Sequence, residues 1–195
     1  MLSYGKKATS GAGAAAATGP SKLINSMKFI NEHRHFIVAT ASGFQVCETA
    51  TATTKVTAAI PGGTALCDSY KNSNIFFFVG TGTHLEYPST RLCIWNDRSK
   101  QVVGSVQFSP NMQILDLHVL GDWVVVVFAQ SIKLFHFTQG FTRDKVMAQF
   151  PLRQIEPGQS QGQVAAHVSQ DGTKLTLAFQ NPQKAGKVDI MAMQL

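Results

Sequence analysis

From residue 21 onward the chain reads as short apolar or alternating runs, interrupted every few residues by Gly, Asn, Asp or Pro. This is the signature of strands joined by tight turns. The runs follow one order: an alternating first strand, a turn, a middle strand apolar at nearly every position, a second turn, and a third strand with an aromatic or polar end. They predict strands at Leu23–Ile30, His35–Ala41 and Phe44–Thr49 in a first unit and at Thr64–Tyr70, Asn74–Gly80 and Arg91–Asp97 in a second. The third unit comprises Met112–Val119, Asp122–Ala129 and Ser131–Phe137, and the fourth Gly162–Val168, Lys174–Gln180 and Lys187–Met193. Outer strands at Val56–Ile60, Gln101–Phe108 and Lys145–Phe150 complete the first three.

The third strands begin at Phe44, Leu92, Ile132 and Val188, in steps of 48, 40 and 56 residues. Spacing of this size is expected of four-stranded propeller blades. A middle strand such as Trp123–Phe128 is apolar throughout because both of its faces meet neighbouring blades, so the two-residue period disappears there. A β-sandwich also has short strands at regular spacing, but it has no reason to repeat an apolar strand followed by an aromatic-ended one. The expected fold is therefore all-β: a partial, open β-propeller of about four blades, mostly of four antiparallel strands, with units near 22–60, 63–108, 111–150 and 162–195.

Residues 1–20 differ in kind. SGAGAAAATGP has no period and little to bury, so a disordered Ala/Gly-rich leader is expected before a domain over 21–195. Gly11, Gly13 and Gly19 do not make a phosphate loop, since Pro20 stands where such a loop needs Lys and no strand precedes it. The apolar run Trp123–Ala129 is far too short to span a bilayer as a helix.

Composition narrows the function. Of 195 residues, 44% are hydrophobic and 14% charged, as in a globular protein. The net charge is +6, which favours acidic partners, but the basic residues are dispersed and not interleaved with aromatics, so no nucleic-acid surface is predicted. Cys47, Cys67 and Cys93 are odd in number and lack CxxC spacing, which argues against a disulfide framework or a zinc site. Cys47 and Cys93 share one slot in successive units, which points to packing. His33 and His35 read as turn residues; His118, His136 and His167 read as strand-face residues with satisfied nitrogens. The acids are few and scattered, so no catalytic residue, metal site or cofactor is predicted.

Specific stretches add to this. Tyr87–Ser109 (YPSTRLCIWNDRSKQVVGSVQFS) followed by Ile114–Phe137 (ILDLHVLGDWVVVVFAQSIKLFHF) resembles the second and third blades of the PROPPIN family, WD40-like propellers of seven blades that include the WIPI proteins. INSMKFINEHRHFIVATASGFQVCET is similar to the family's opening blade, and GQVAAHVSQDGTKLTLAFQNPQKAGKVDIMAM to its fourth. The resemblance implies binding of phosphatidylinositol 3-phosphate and 3,5-bisphosphate, recruitment of autophagy machinery, and a cytoplasmic location on the periphery of autophagic, endosomal or vacuolar membranes.

The family's lipid pockets surround a Phe-Arg-Arg-Gly motif in later blades, and this sequence contains no adjacent Arg pair. Phe141-Thr142-Arg143-Asp144 is not that motif, and Asp144 would repel a phosphate. No lipid-binding residue is therefore carried over, and the array is expected to stop before its ring closes, leaving Lys187–Met193 as an uncovered edge and the chain prone to aggregate. The resemblance does imply a partner surface between the second and third blades, toward a lipid-transfer or conjugation-machinery protein of autophagy. Here that connection is residues 81–90, and His84, Glu86, Tyr87, Pro88 and Arg91 are its candidate contact residues. An exposed Tyr beside Pro, flanked by His and Arg, fits the composition of binding hot spots, although an ordinary solvated loop has the same composition.

Overall fold

The computed structural model describes residues 23–137, 146–152, 164–181, 183–184 and 186–194. The leader at 1–20 and the stretch 141–144 lie outside the described residues. The first blade comprises β1 (Ile24–Ile30), β2 (His35–Thr40), β3 (Gly43–Glu48) and β4 (Thr54–Ala59), hydrogen-bonded in chain order as an antiparallel sheet. The second comprises β5 (Thr64–Ser69), β6 (Ile75–Gly80), β7 (Arg91–Asn96) and β8 (Gln101–Gln107). The third comprises β9 (Ile114–Leu120), β10 (Trp123–Phe128), β11 (Ser131–His136) and β12 (Ala148–Pro151). The fourth has three described strands, β13 (Val164–Val168), β14 (Lys174–Gln180) and β15 (Val188–Gln194).

These four sheets form a four-blade β-propeller array. Every strand expected from the sequence is present within a residue or two of its expected ends, except that β12 begins at Ala148 rather than Lys145. The neighbouring residues 145 and 162–163 lie outside the described set. The first strands sit innermost: β1 packs on β5, β5 on β9, and β9 on β13.

The middle strands recover a two-residue period in a different form, because alternate side chains enter the interfaces on opposite sides of the blade. Phe76 and Phe78 of β6 join Ile37, Phe44 and Val46 in the core between the first two blades. Phe77 and Val79 instead join Leu117, Val124 and Val126 between the second and third. Val125 and Val127 face Leu175, Leu177 and Phe179 of the fourth. Each of these β10 valines is fully buried, so the run WVVVVF is apolar because it serves two cores at once. The outer strands β4 and β8 are mostly exposed or half-buried, and each sends one buried residue, Ala58 or Val106, into a core.

Phe44 is the hub of the first interface, with ring centroids 5.4 Å from Phe76 and 6.3 Å from Trp95, the latter edge-on. Gly43 makes that seat possible: at φ +130° it adopts a conformation side chains disfavour, and a Cβ there would lie 2.0 Å from the Ala58 carbonyl oxygen. Cys47, Cys67 and Cys93 are free and buried, as the strand slot shared by Cys47 and Cys93 suggested for those two. Burial pushes the Cys67 thiol well above the usual range and the Cys93 thiol up to about 12, which makes both poor nucleophiles.

Candidate functional site

Residues 81–90 connect β6 to β7 within the second blade, not the second blade to the third as expected, and form a braced loop. At its start, Thr81 Oγ1 and Thr83 Oγ1 both donate to the Gly62 carbonyl, at 2.6 and 2.9 Å. At its end, Arg91 donates from Nη1 to the Glu86 carbonyl at 2.8 Å and from Nε to Gln107 Oε1 at 2.9 Å. Between these ties the Tyr87 ring turns inward and lies 5.6 Å from Phe78, against the core of the first two blades. Its hydroxyl donates to Glu86 Oε1 at 3.1 Å. Burial, with the Glu86 carboxylate beside it, raises the pKa of the phenol. His84 stacks on Tyr87 at 6.0 Å, and its Nδ1 accepts the Glu86 N–H. Gly80 lets the two ends of the loop meet, since a Cβ there would lie 2.0 Å from the Tyr87 carbonyl oxygen.

This geometry brings His84, Glu86, Tyr87 and Arg91 together, with half-buried Pro88 beside them, and corrects one expectation. Tyr87 is half-buried and acts as the loop's anchor, while the apolar side chain held out in solvent is Leu85, 98% exposed. Sequence reading passed over Leu85, although it is the one large aliphatic residue in the run TGTHLEYPST.

A second constellation lies near the axis, where the innermost strands converge. Lys28 of β1 donates from Nζ to the Leu117 carbonyl and lies 3.3 Å from Asp116 Oδ1 and 3.8 Å from Asp68 Oδ2. Asp68 Oδ2 also accepts the Val119 N–H at 3.0 Å, so β1, β5 and β9 share one polar cluster. Each carboxylate is further fixed by the N–H of the next residue, Ser69 or Leu117, at 2.8 Å. His118 Nε2 approaches Asp116 Oδ2 to 3.3 Å but is buried without a hydrogen bond, which corrects the expectation of a satisfied strand-face histidine.

Burial pushes Asp68 above its usual range despite Lys28 and the main-chain donors. Burial acts on Asp116 in the same sense, but His118 and Lys28 outweigh it and hold that carboxyl low. The cluster forms the floor of an open cavity of about 1050 Å³ whose walls are the β1–β2, β5–β6 and β9–β10 turns. At its rim the Tyr70 hydroxyl and Lys71 ammonium both meet Asp122 Oδ1, at 2.5 and 2.9 Å, tying the second blade to the third. The sequence did carry a signal for this cluster: Asp68 and Asp116 each interrupt an apolar first strand, in ALCDSY and ILDLHV.

No family model matches the chain. Its fold is that of solved PROPPIN propellers. Hsv2 of Kluyveromyces marxianus superposes with a TM-score of 0.66 at 16% identity, over 89% of this chain and 49% of that one. Hsv2p of Kluyveromyces lactis gives 0.64 at 19% identity, over 88% and 47%. KlAtg21, solved in complex with the coiled coil of AgAtg16, gives 0.60 at 16% identity, over 88% and 52%. The chain thus spans about half the length of each. Hydrazine synthase of Kuenenia stuttgartiensis also matches, with a TM-score of 0.57 at 9% identity, so the architecture itself occurs in an enzyme as well.

Proposed function

We propose that this chain is a PROPPIN-type propeller scaffold that recruits an autophagy-machinery protein through the loop between β6 and β7. The observation that carries this reading is the braced loop itself. Tyr87, Arg91 and the two threonines hold the backbone in place, so Leu85 is presented at little further cost in conformational entropy. A rigid apolar residue ringed by polar ones has the form of a binding hot spot. The Atg21 structure with an Atg16 coiled coil supports a helical partner from the same machinery.

The role is non-catalytic, and its setting is the cytoplasmic surface of autophagic, endosomal or vacuolar membranes. The phosphoinositide contact of the family is not assigned to any residue of this chain, which has no adjacent Arg pair. The alternative is a generic WD40-like protein-protein interaction scaffold without lipid binding; the hydrazine synthase match is consistent with the architecture serving more than one role.

Calorimetric titration of the chain with an Atg16-type coiled coil tests the proposal. Binding that Leu85→Asp abolishes, with the melting temperature unchanged, supports it; no heat, or equal binding by the variant, sinks it. Flotation with phosphatidylinositol 3-phosphate liposomes is expected to show no headgroup-dependent binding by this chain, and retention would overturn that part.

A further inference from the structure

Among the described residues the fourth blade is one strand short of its fellows. In the first three blades the third strands, β3, β7 and β11, each carry an outer strand, β4, β8 or β12, while their counterpart β15 has none on its outer side. One cross-strand bond settles which of its main-chain groups are left over. The Asn181 N–H donates to the Lys187 carbonyl at 2.9 Å, and the same register runs on without a shift from Gln180 opposite Val188 to Lys174 opposite Gln194. In an antiparallel ladder, bonded and unbonded pairs alternate. Asp189, Met191 and Met193 therefore turn their main-chain groups toward β14, and Val188, Ile190, Ala192 and Gln194 turn theirs to the open edge.

The sequence of β15 does nothing to keep another strand away. Natural sheets blunt an open edge with Lys, Pro or a bulge. VDIMAMQ has neither residue and its ladder no register shift, whereas each of the first three blades has at least one shift. Its one charge, Asp189, is taken up by Asn181 Nδ2, 2.9 Å from both carboxylate oxygens. Met191 and Met193 pack against the core shared with the third blade and fix the strand's orientation, so Val188 and Ile190 stay 63% and 74% exposed on the opposite face.

We propose that β15 pairs with β15 of a second copy of this chain, antiparallel across a twofold axis at Met191, joining the two fourth blades into one continuous sheet. A twofold contact uses the same patch on both partners, and this strand is self-complementary about its midpoint. In that register Val188 meets Gln194 of the second copy and Ile190 meets its Ala192, and all four are residues whose main-chain groups face the edge. Every outward donor thus finds an acceptor. Met191 stands opposite its own counterpart in an unbonded pair, and Asp189 stands opposite Met193 of the second copy, so no like charges are set against one another. Of the possible registers this one overlaps the whole strand, which is why a second copy fits the edge without any further sequence requirement.

Sedimentation velocity of the whole chain, from dilute to concentrated solution, tests this with wild type, Ile190→Pro and Ile190→Ala in parallel. Wild type should pass from monomer to dimer and stop there, since a twofold contact closes. Proline at 190 removes an outward N–H and no bond to β14, and should weaken the dimer roughly tenfold or more. The alanine variant keeps that N–H and should keep the dimer. A wild-type monomer at every concentration, growth beyond a dimer, or equal dimerisation by Ile190→Pro overturns the proposal. Should Ile190→Pro not fold, cysteine crosslinking with a copper phenanthroline oxidant decides. An unbonded antiparallel pair sets its Cα atoms about 4.5 Å apart, within disulfide reach, so Met191→Cys should crosslink and Ile190→Cys should not. The reverse result overturns the proposal. So does hydrogen exchange in which the Val188, Ile190 and Ala192 amides are equally protected at all concentrations, because the chain itself would then cover the edge.

Discussion

Asp68 accepts a hydrogen bond from the backbone N–H of Val119 at 3.0 Å, across the boundary between the second and third blades. Its other oxygen takes the N–H of Ser69 at 2.8 Å. Asp68→Ala would leave both donors without a partner and remove one of the two carboxylates beside Lys28, at a cost of roughly 2–4 kcal/mol. Asp68→Asn keeps one acceptor oxygen and should cost less than the alanine variant. Urea unfolding measures both, and an alanine variant within about 0.5 kcal/mol of wild type would show that the cluster does not hold the blades together.

Gly80→Ala probes the braced loop. The added methyl would meet the Tyr87 carbonyl oxygen at 2.0 Å, and a backbone atom can yield only if the loop shifts. Tyr87 should leave its place over Phe78, trypsin should cleave after Arg91 faster, and the melting temperature should fall by several degrees. Gly82→Ala is the control. Its φ of +87° carries strain, but its Cβ would have nothing nearer than Ser89 Oγ at 3.5 Å, so cleavage should change little. Equal cleavage of the two variants would count against the anchoring role of Tyr87.

The three thiols report on packing. All are buried, and burial raises Cys67 strongly and Cys93 to about 12. A thiol reagent at pH 8 should therefore label none of them on the timescale of minutes in the native chain and all three in guanidinium chloride. Fast labelling of a single cysteine under native conditions would show that its interface opens locally.

Acid should loosen the β13–β14 turn before the cores. Asp171 accepts hydrogen bonds from Ser169 Oγ at 2.5 Å and from the Thr173 N–H at 3.1 Å, and these bonds pull its pKa down to about 2. A carboxyl held low when folded contributes stability above its unfolded value of about 3.9, and that contribution disappears as pH falls toward 2. Protection of the Thr173 amide should therefore decline between pH 4 and 2 in wild type and be absent in Asp171→Asn at pH 5. Protection that is flat over that interval would count against the assignment.

Much of the fold could be read from the sequence because interface burial leaves a plain mark: IFFFVG and WVVVVF are apolar at positions that a one-sided sheet would leave polar. The turns were equally legible through their Gly, Asn and Asp residues. The site was harder to read. Tyr87 in a run of polar residues looks like a presented side chain, and only the placement of Phe78 beneath it shows that the ring turns inward. The axial cluster joins residues as far apart as Lys28 and Leu117, 89 positions along the chain, and no local pattern encodes which charges meet. His118 illustrates the limit: its strand slot was predicted correctly, and its missing hydrogen bond was not.

Arrays of repeats are commonly treated as one-dimensional chains in which each unit senses only its immediate neighbours. The reach of Lys28 from β1 to the Leu117 carbonyl on β9 breaks that description, since it links the first unit to the third directly. A Lys28→Met substitution would then alter the third unit's opening free energy even where the second is unperturbed. During synthesis the ammonium of the first unit must wait, hydrated, until some ninety further residues have been added, so the last bonds of blade one close only when blade three exists.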